Sequence, residues 1–433
     1  MRRLCSLLGM PQHRFASIHV VGTNGKTSVA RMTMALLEAH GVSAGAYVSP
    51  HIVSSRERIL IRGEPIAEEA LTQVLERAEH SARVADRSAG DEGPVTQFEL
   101  VTAAAFLAFA EARVEVAAIE AGLGGRLDAT NVIPSKVTVL TSVGLDHTEW
   151  LGEALEQIAA EKLAVLRDHT TLITGVQPPE VEPVVEREVD RRHARRIDPR
   201  GEWLAPGTTD APEGSRPLSG YQRGNLLLAR AAAAQFLGRS PSVETMLPAL
   251  SVPGRAEFIP GDPPAIFDAA HNPAGASALA ELLPELVPPR ESRAGPMKRV
   301  LKLFPRMAGK RVRSPSDADP GAREVVCCLA VLAEKDAEGI VRPLAEVCSR
   351  FVCTQIPAEA IRGSGRPVGS SHPAAVLAEL CRAAGAEAEA IEDALEAWAR
   401  TRELARERDG VALAAGSHYL LSCIWTERHA PSS

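Results

Sequence analysis

One short segment near the amino end constrains the fold more than any other. Residues 18–21 are mostly apolar, two glycines follow within residues 22–25, and a helical pattern predicts a helix over residues 29–40. A strand that enters a helix through such a turn aims backbone N–H groups and the positive end of the helix dipole at one point. Because that point attracts anionic oxygen, the segment predicts a phosphate-binding loop.

The side chains of this loop suit a nucleotide. Lys26 reaches the outer phosphates, and Thr27 or Ser28 offers a hydroxyl to Mg²⁺. The general P-loop pattern has a further glycine where this chain has Val20. A plain Asn-Gly turn with a chance lysine would not explain why glycines, lysine and hydroxyls meet at one junction. The residues predicted to bind the nucleotide here are Thr23, Asn24, Gly25, Lys26, Thr27 and Ser28.

Strands and helices alternate along the first half of the chain. The predicted strands are 18–21, 44–48, 116–120, 137–142 and 171–174, and the predicted helices are 29–40, 68–77, 98–110 and 152–166. This alternation predicts a parallel sheet with helices on both faces. Ligands of such sheets bind at the carboxyl ends of the strands.

A second α/β set follows a break at residues 251–254. Its predicted strands are 265–267, 324–329, 350–354, 412–414 and 419–424, and its predicted helices are 274–286, 337–347, 373–384 and 391–406. We therefore predict two domains, at residues 1–252 and 257–433. The basic segment 288–323 is predicted to be a solvated or partly disordered surface insertion, with a partner- or anion-binding role as the alternative.

Composition limits the classes of function. The 433 residues are 45% hydrophobic and 24% charged, and the net charge of −7 does not indicate a nucleic-acid-binding surface. No apolar run is long enough to span a membrane, and the amino end lacks the layout of a signal peptide. Seven scattered cysteines without a CxxC pair fit a reducing compartment. These features predict a cytoplasmic enzyme with no nucleic-acid or membrane partner.

Polar side chains stand at the ends of three predicted strands. Glu120 ends one strand, Ser49 follows an earlier one, and His147 follows a later one. Each alone is more often structural, but the carboxyl ends of parallel strands converge on one edge of a sheet. Oxygen and nitrogen ligands of this kind would hold Mg²⁺ or Mn²⁺ opposite the phosphate loop.

Other candidates are ambiguous from the residues alone. Lys162 lies in a predicted helix, where a solvated lysine is the usual interpretation. Asn225 begins a helix and is able to contact a base or ribose, and Asp268 ends a strand and is able to accept from ribose hydroxyls. The Asp-x-x-His-Asn-Pro run that starts at Asp268 also suits a turn that caps the next helix.

Together these segments resemble the folylpolyglutamate synthase/dihydrofolate synthase family, a branch of the Mur ligases. The matching segments span nearly the whole chain. They are GTNGKTS (22–28), SPHI (49–52), ERI (57–59), TQFEL (96–100), EAGLGGRLDATN (120–131), TSVGLDHTEWLG (141–152), AAEK (159–162), YQRGN (221–225), PGR (253–255), DAAHNP (268–273), LAVLAEKD (329–336) and GSHYL (416–420). The combination is specific, although no single motif is.

The resemblance implies a fold and a reaction. The fold is a Mur-ligase-like central α/β domain with a P-loop and a parallel sheet, followed by a smaller, Rossmann-like α/β domain at the carboxyl end. The reaction begins when ATP phosphorylates a carboxylate of a pteroate or folate. The L-glutamate amine then attacks the acyl phosphate, and loss of phosphate leaves an amide. The implied substrates are dihydropteroate or tetrahydrofolate with L-glutamate, and the implied enzyme is a monomer.

The resemblance also implies a role for each matching residue. ATP contacts Asn225, Arg255 and Asp268, while His271 lies beside the reacting centre with Lys26. Metal ligands are Ser49, Glu120, His147 and a carbamylated Lys162, which hold Mg²⁺, with Mn²⁺ or K⁺ as alternative ions. The pterin or folate contacts Thr96, Gln97, Phe98, Glu99, Leu127, Asp128 and Ala129.

Two alternatives stay open from the sequence. One is a Mur-type ligase that joins a different carboxylate and amine. The other is a weakened paralogue that binds nucleotide and acts through its basic segment, although the presence of Lys26, Glu120, His147 and Asp268 argues against it.

Overall fold

Two β-sheets organise the described part of this computed structural model, which comprises residues 1–87, 93–199, 220–242, 252–287, 323–362 and 369–429. In chain order, strands β1 to β8 are Ala16–Val21, Ala44–Tyr47, Ile59–Ile61, Glu64–Pro65, Val116–Glu120, Val137–Leu140, Thr171–Thr174 and Arg195–Ile197. They form the first sheet in the order β4-β3-β2-β5-β1-β6-β7-β8.

The second sheet has six strands. Strands β9 to β14 are Glu257–Ile259, Ala265–Phe267, Val325–Leu329, Arg350–Cys353, Glu387–Ala390 and Val411–Ala415. Their order across the sheet is β13-β12-β11-β14-β10-β9.

Helices cover both sheets. In chain order, α1 to α14 are Arg2–Leu7, Lys26–Ala39, Glu68–Asp86, Gln97–Glu111, Thr148–Leu151, Leu155–Leu163, Glu182–Arg191, Gly220–Leu237, Pro273–Leu286, Ala337–Ala345, Ala358–Arg362, Ala374–Ala383, Ala394–Glu407 and His418–Ile424. None of the helices in the described ranges is long and apolar enough to cross a bilayer.

The centre of the first sheet is parallel, as predicted. Strand β1 lies between β5 and β6, and Ile18 is level with Ala118 on one side and Val137 on the other. Residues 116–120 are all buried, which explains why β5 reads as an uninterrupted apolar run that ends in one carboxylate. Antiparallel pairing occurs at the edges, where β3, β4 and β9 are short strands that the sequence patterns did not predict.

Apolar clusters fill the space between sheets and helices. Tyr47, Phe106 and Phe109 are fully buried on one side of the first sheet. In the second sheet, the rings of Phe267 and Trp398 lie 5.1 Å apart and anchor α13 against β10. Different apolar clusters support the two sheets, and Ile52, in the loop after β2, joins a cluster of the second sheet.

The structure corrects two sequence predictions. Residues 419–424 form helix α14 and not a strand, because Ser417 caps it by accepting from the Tyr419 N–H, and Leu420, Leu421 and Ile424 bury one helical face. The helix predicted over 152–166 is the shorter α6, Leu155–Leu163, and the separate one-turn helix α5 precedes it. The chain turns between them at Gly152, whose φ of +107° ends α5.

In chain order, β8 is the last strand of the first sheet and β9 is the first strand of the second. This agrees with the predicted division into two units, each built on one sheet. The exact limits 1–252 and 257–433 stay a prediction. The basic segment lies outside the described residues, apart from Arg323.

Candidate active site

A cavity of about 820 Å³ lies between the carboxyl edges of the two sheets. Its wall is formed by loops after β1, β2, β5 and β6 of the first sheet and after β10, β11 and β14 of the second. Most of the predicted site residues line it: Thr23, Asn24, Gly25, Lys26, Thr27, Ser28, Ser49, Thr96, Gln97, Phe98, Glu120, His147, Lys162, Asn225, Arg255, Asp268 and His271.

The loop between β1 and α2 has the backbone shape of a phosphate cradle. Gly25 caps α2 with a φ of +87°, and a Cβ there would lie 2.5 Å from Asn225 Oδ1. Glycine therefore satisfies both the left-handed backbone and the close approach of α8. Lys26 Nζ donates to the Thr23 carbonyl at 3.0 Å, and burial lowers the pKa of this lysine against the opposing effect of Glu120.

Glu120 forms the centre of an oxygen-rich group. The Thr27 hydroxyl donates to its carboxylate at 2.9 and 3.1 Å, and the Ser49 N–H donates to Oε2 at 3.0 Å. Burial raises the pKa of Glu120, and the positive charge of Lys26 opposes that rise. A carboxylate beside hydroxyl oxygens is the donor set that Mg²⁺ favours, so these residues fit the predicted cation.

His147 lies beside the charged side chains of Asp146 and Lys335. Its ring Nε2 lies 3.4 Å from Lys335 Nζ, and its backbone N–H donates to Asp146 Oδ1 at 3.0 Å. Within the described ranges, no three His, Cys, Asp or Glu side chains converge to hold a metal ion. The metal-ligand role of His147 therefore stays a prediction.

Lys162 is buried rather than solvated. Its Nζ donates to the Gly22 carbonyl at 2.9 Å, directly behind the phosphate loop. Burial and the nearby Lys26 lower the pKa of Lys162 to about 7. Close packing keeps this helix against the loop after β5, since a Cβ at Gly125 would lie 2.7 Å from the Lys162 carbonyl oxygen.

Asp268 lies where the second sheet meets α8. Its carboxylate accepts from Tyr221 Oη at 2.9 Å and from the N–H groups of Ala256 and Ala270 at 2.7 Å. Burial raises the pKa of Asp268. These bonds engage both carboxylate oxygens, so Asp268 joins the two units as well as lining the cavity. On the adjoining helix, Asn225 Nδ2 is buried and finds no hydrogen-bond partner among the residues that the structure describes.

Two histidines and an arginine line the second-sheet side of the cavity. The ring of His271 lies 5.5 Å from that of His418, and Arg255 Nη2 contacts His418 Nε2 at 3.0 Å. An arginine only donates, so His418 Nε2 accepts, and burial keeps the pKa of His418 well below its usual range. His271 Nδ1 donates to the Ala269 carbonyl at 2.9 Å, and its Nε2 faces the Asp146 carboxylate at 3.6 Å.

The predicted acceptor-binding residues divide into two groups. Thr96 and Glu99 form a capping box at the start of α4, which presents Gln97 and Phe98 to the cavity. The loop after β5 behaves differently. Leu127 is 91% exposed, Asp128 caps the next turn by accepting from Thr130, and Ala129 is buried. Leu127, Asp128, Ala129 and Glu99 do not line the cavity.

Sequence reasoning named no role for several residues that the structure places in the cavity wall, namely Asp146, Tyr221, Lys335 and His418, nor for the buried Asn272 beside it. The sequence did point to these residues, because each lies within a segment that matches the family. What the segments did not indicate is which side chains meet across the two sheets.

Comparison with known proteins agrees with this geometry. Residues 20–182 match the model of the Mur ligase middle domain. A "Dihydrofolate synthase/folylpolyglutamate synthase" of Bacillus subtilis is 33% identical over 307 residues, which cover 65% of this chain and 71% of that protein. The chain belongs to the dihydrofolate synthase/folylpolyglutamate synthase family.

Two other members illustrate the match. The protein of that name from Mycobacterium tuberculosis is 38% identical over 314 residues, which cover 65% of this chain and 64% of that family member. This chain thus aligns with slightly less than two thirds of the length of the Mycobacterium tuberculosis protein. A solved structure described as Mycobacterium tuberculosis folylpolyglutamate synthase complexed with ADP and AMPPCP superposes with a TM-score of 0.82. It is 30% identical, and the match covers 100% of this chain and 95% of that chain.

Proposed function

We propose that this chain is an ATP-dependent ligase that forms an amide between a pteroate or folate carboxylate and L-glutamate through an acyl phosphate. The observation that carries the proposal is one cavity lined jointly by the phosphate loop, by Gln97 and Phe98, and by the loops of the second sheet. The reaction requires ATP, the acceptor and the amine to be held together with water excluded. A single cavity with these three groups of lining residues meets that requirement.

The phosphate loop would bind the nucleotide. Its backbone N–H groups and the start of α2 attract the phosphates, and Lys26 is the cation that offsets charge on the transferring group. Asn225 and Arg255 would contact the nucleotide from the junction of the two units. Within the described residues Asn225 Nδ2 is buried without a partner, which supports this role, because a buried unpaired donor is costly unless a ligand satisfies it.

The oxygen-rich group around Glu120 would hold Mg²⁺ with Thr27 and Ser49, and His147 would complete the set. Such an ion would offset the negative charge of the phosphates. Carbamylation of Lys162 is part of the proposal. With a pKa of about 7, a sizeable share of this lysine is neutral near pH 7, and the neutral amine is the form that reacts with carbon dioxide.

The second sheet would supply the amine side of the reaction. His271 would act through Nε2, because its Nδ1 donates to the Ala269 carbonyl. An acceptor beside the acyl phosphate would take the proton that the L-glutamate amine must lose. On the first-sheet side, the Phe98 ring and the Gln97 amide would hold the flat pterin and its polar edge.

Location and assembly belong to the same proposal. We place the enzyme in the cytoplasm as a monomer, without a nucleic-acid or membrane partner. All seven cysteines are free, which supports a reducing compartment.

An assay of ADP release tests the proposal directly. Purified protein with ATP, Mg²⁺ and L-glutamate is supplied with dihydropteroate, with tetrahydrofolate or with a muramyl-type acceptor. We expect turnover with one or both pterin compounds and an amide product by mass spectrometry. Turnover with only the muramyl-type acceptor would favour a ligase for another carboxylate. ATP binding without turnover on any acceptor would favour the weakened paralogue.

A further inference from the structure

Four polar side chains join the two sheets beside the phosphate loop. Asn24 and Asp146 come from loops of the first sheet, whereas Asn272 and Lys335 come from loops of the second. Asn24 and Asn272 exchange two amide hydrogen bonds, at 3.1 and 3.2 Å. Asn272 Nδ2 also donates to Asp146 Oδ2 at 3.1 Å, and Lys335 Nζ donates to Asp146 Oδ1. We call these four residues the clasp.

The amide of Asn272 is the centre of the clasp. Its NH₂ group donates to Asn24 and to Asp146, and its oxygen accepts from Asn24 and from the Gly275 N–H at 2.8 Å. An asparagine amide has two donors and two lone pairs, so every hydrogen-bonding position is used. The side chain is 2% exposed. Such a complete set forms only while the two sheets stand at this separation.

Charge strengthens the same contact. The side chains of Asp146 and Lys335 are 9% and 8% exposed, and they pair across the two units. Removing one partner of a buried pair leaves the other charge uncompensated, which is strongly unfavourable. His271 Nε2 lies 3.6 Å from Asp146 Oδ2, so the carboxylate contacts three side chains of the second sheet's loops.

We propose that Asp146 and Asn272 are positioning residues, and that the clasp holds the second sheet closed over the phosphate loop with the Lys335 ammonium at the cavity wall. Closure itself stands independently of the reaction. Only its effect on turnover rests on the proposed function. By fixing Asn24, the clasp would couple the conformation of the phosphate loop to the position of the second sheet.

The first test measures the separation of the two units without any ligand. Paramagnetic labels at Glu69→Cys and Glu379→Cys report it, because both positions are exposed on different units. A Cys423→Ser background suits the labelling, since the other six cysteines are buried. We expect one short distance in the parent and a second, longer distance in Asp146→Asn. The matched control is Glu153→Gln, an exposed carboxylate near the same loop, which should match the parent.

Two substitutions at Asn272 separate the clasp from the helix cap. Asn272→Ser and Asn272→Asp both retain an oxygen that can cap α9, and serine and aspartate are good caps. Serine loses the donors to Asn24 and Asp146, and aspartate adds repulsion against Asp146. If the clasp operates, aspartate should open the units more than serine. If only the cap matters, both should match the parent, and the proposal is overturned.

The kinetic test uses the same variants. We expect kcat to fall about 10²-fold in Asn272→Asp and KM for ATP to rise by a smaller factor, because misplacement affects the reaction more than binding. Lys335→Arg should recover more turnover than Lys335→Met, since it retains the charge. An unchanged distance in all variants would refute the clasp even in an active enzyme. Opened units in a protein without ligase activity would keep the clasp and refute the proposed reaction.

Discussion

Lys26 is the cation that the phosphate loop itself supplies to the cavity. Lys26→Ala should lower kcat about 10²–10³-fold, because a charge aimed at the transferring phosphoryl group is lost. The midpoint of thermal unfolding should stay near that of the parent, since burial already disfavours this charge. The matched control is Lys136→Ala, an exposed lysine on the same unit. Parent-like turnover of Lys26→Ala at saturating ATP would contradict the assignment.

Glu120 is the carboxylate that fits the predicted cation. Glu120→Gln keeps the size and the contacts with Thr27 and Ser49 but removes the charge, so the apparent affinity for Mn²⁺ should weaken about 10–100-fold. Titration by electron paramagnetic resonance, with ATP present, measures this directly. The exposed Glu156→Gln serves as the control. Equal affinities in the two variants would leave Glu120 a structural residue.

His19 gives the fold a dependence on pH. It is fully buried in β1 with Nε2 2.8 Å from Thr130 Oγ1, and burial lowers its pKa to about 3. The unfolded chain binds the proton first, so stability is full above about pH 6.5 and is lost as pH falls from there toward 3. Between pH 6.5 and pH 5.0, the parent should lose about 1–2 kcal/mol more than His19→Gln. Urea unfolding at both values measures it, and parallel losses would contradict this.

At the scale of elements, the turn into α2 depends on Gly25. Gly25→Ala faces both a positive φ and the Asn225 side chain, so it should lower stability by more than about 1–2 kcal/mol and weaken ATP binding at least tenfold. Gly41→Ala is the control, because its φ is +81° but nothing lies within 4 Å of the added Cβ. Calorimetric titration with an ATP analogue separates the two. Similar affinities would show that contact with α8 is unimportant.

Helix α14 shows where element prediction failed and why. The apolar run at 419–424 has no polar alternation, so the sequence pattern alone does not distinguish a buried strand from a buried helix. Tertiary structure decides it, because Ser417 caps the segment and the second sheet already ends at β9 and β13. Central strands such as β5 were predictable because burial on both faces requires an apolar run.

At the scale of the whole molecule, Tyr221 connects α8 to the second sheet. Tyr221→Phe removes the hydroxyl that donates to the buried Asp268, so stability should fall by about 1.5–3 kcal/mol. Affinity for ATP should fall as well, because Asp268 and Arg255 share that junction. Thermal unfolding with and without an ATP analogue checks both effects. If Tyr221→Phe loses stability but its unfolding midpoint rises with the ATP analogue as much as that of the parent, the junction does not bind nucleotide.

Local chemistry in this protein follows from residues that are close together in the chain. The glycine pattern before α2, the apolar strands and the carboxylate that ends β5 depend on neighbours in the chain, and each was predictable. Contacts between distant segments, by contrast, become visible only once the chain is folded. Asn24 and Asn272 are 248 positions apart, and the partners of Asp146 and Asp268 come from separate segments. Such pairs depend on how the two sheets face each other, and no local pattern carries that information.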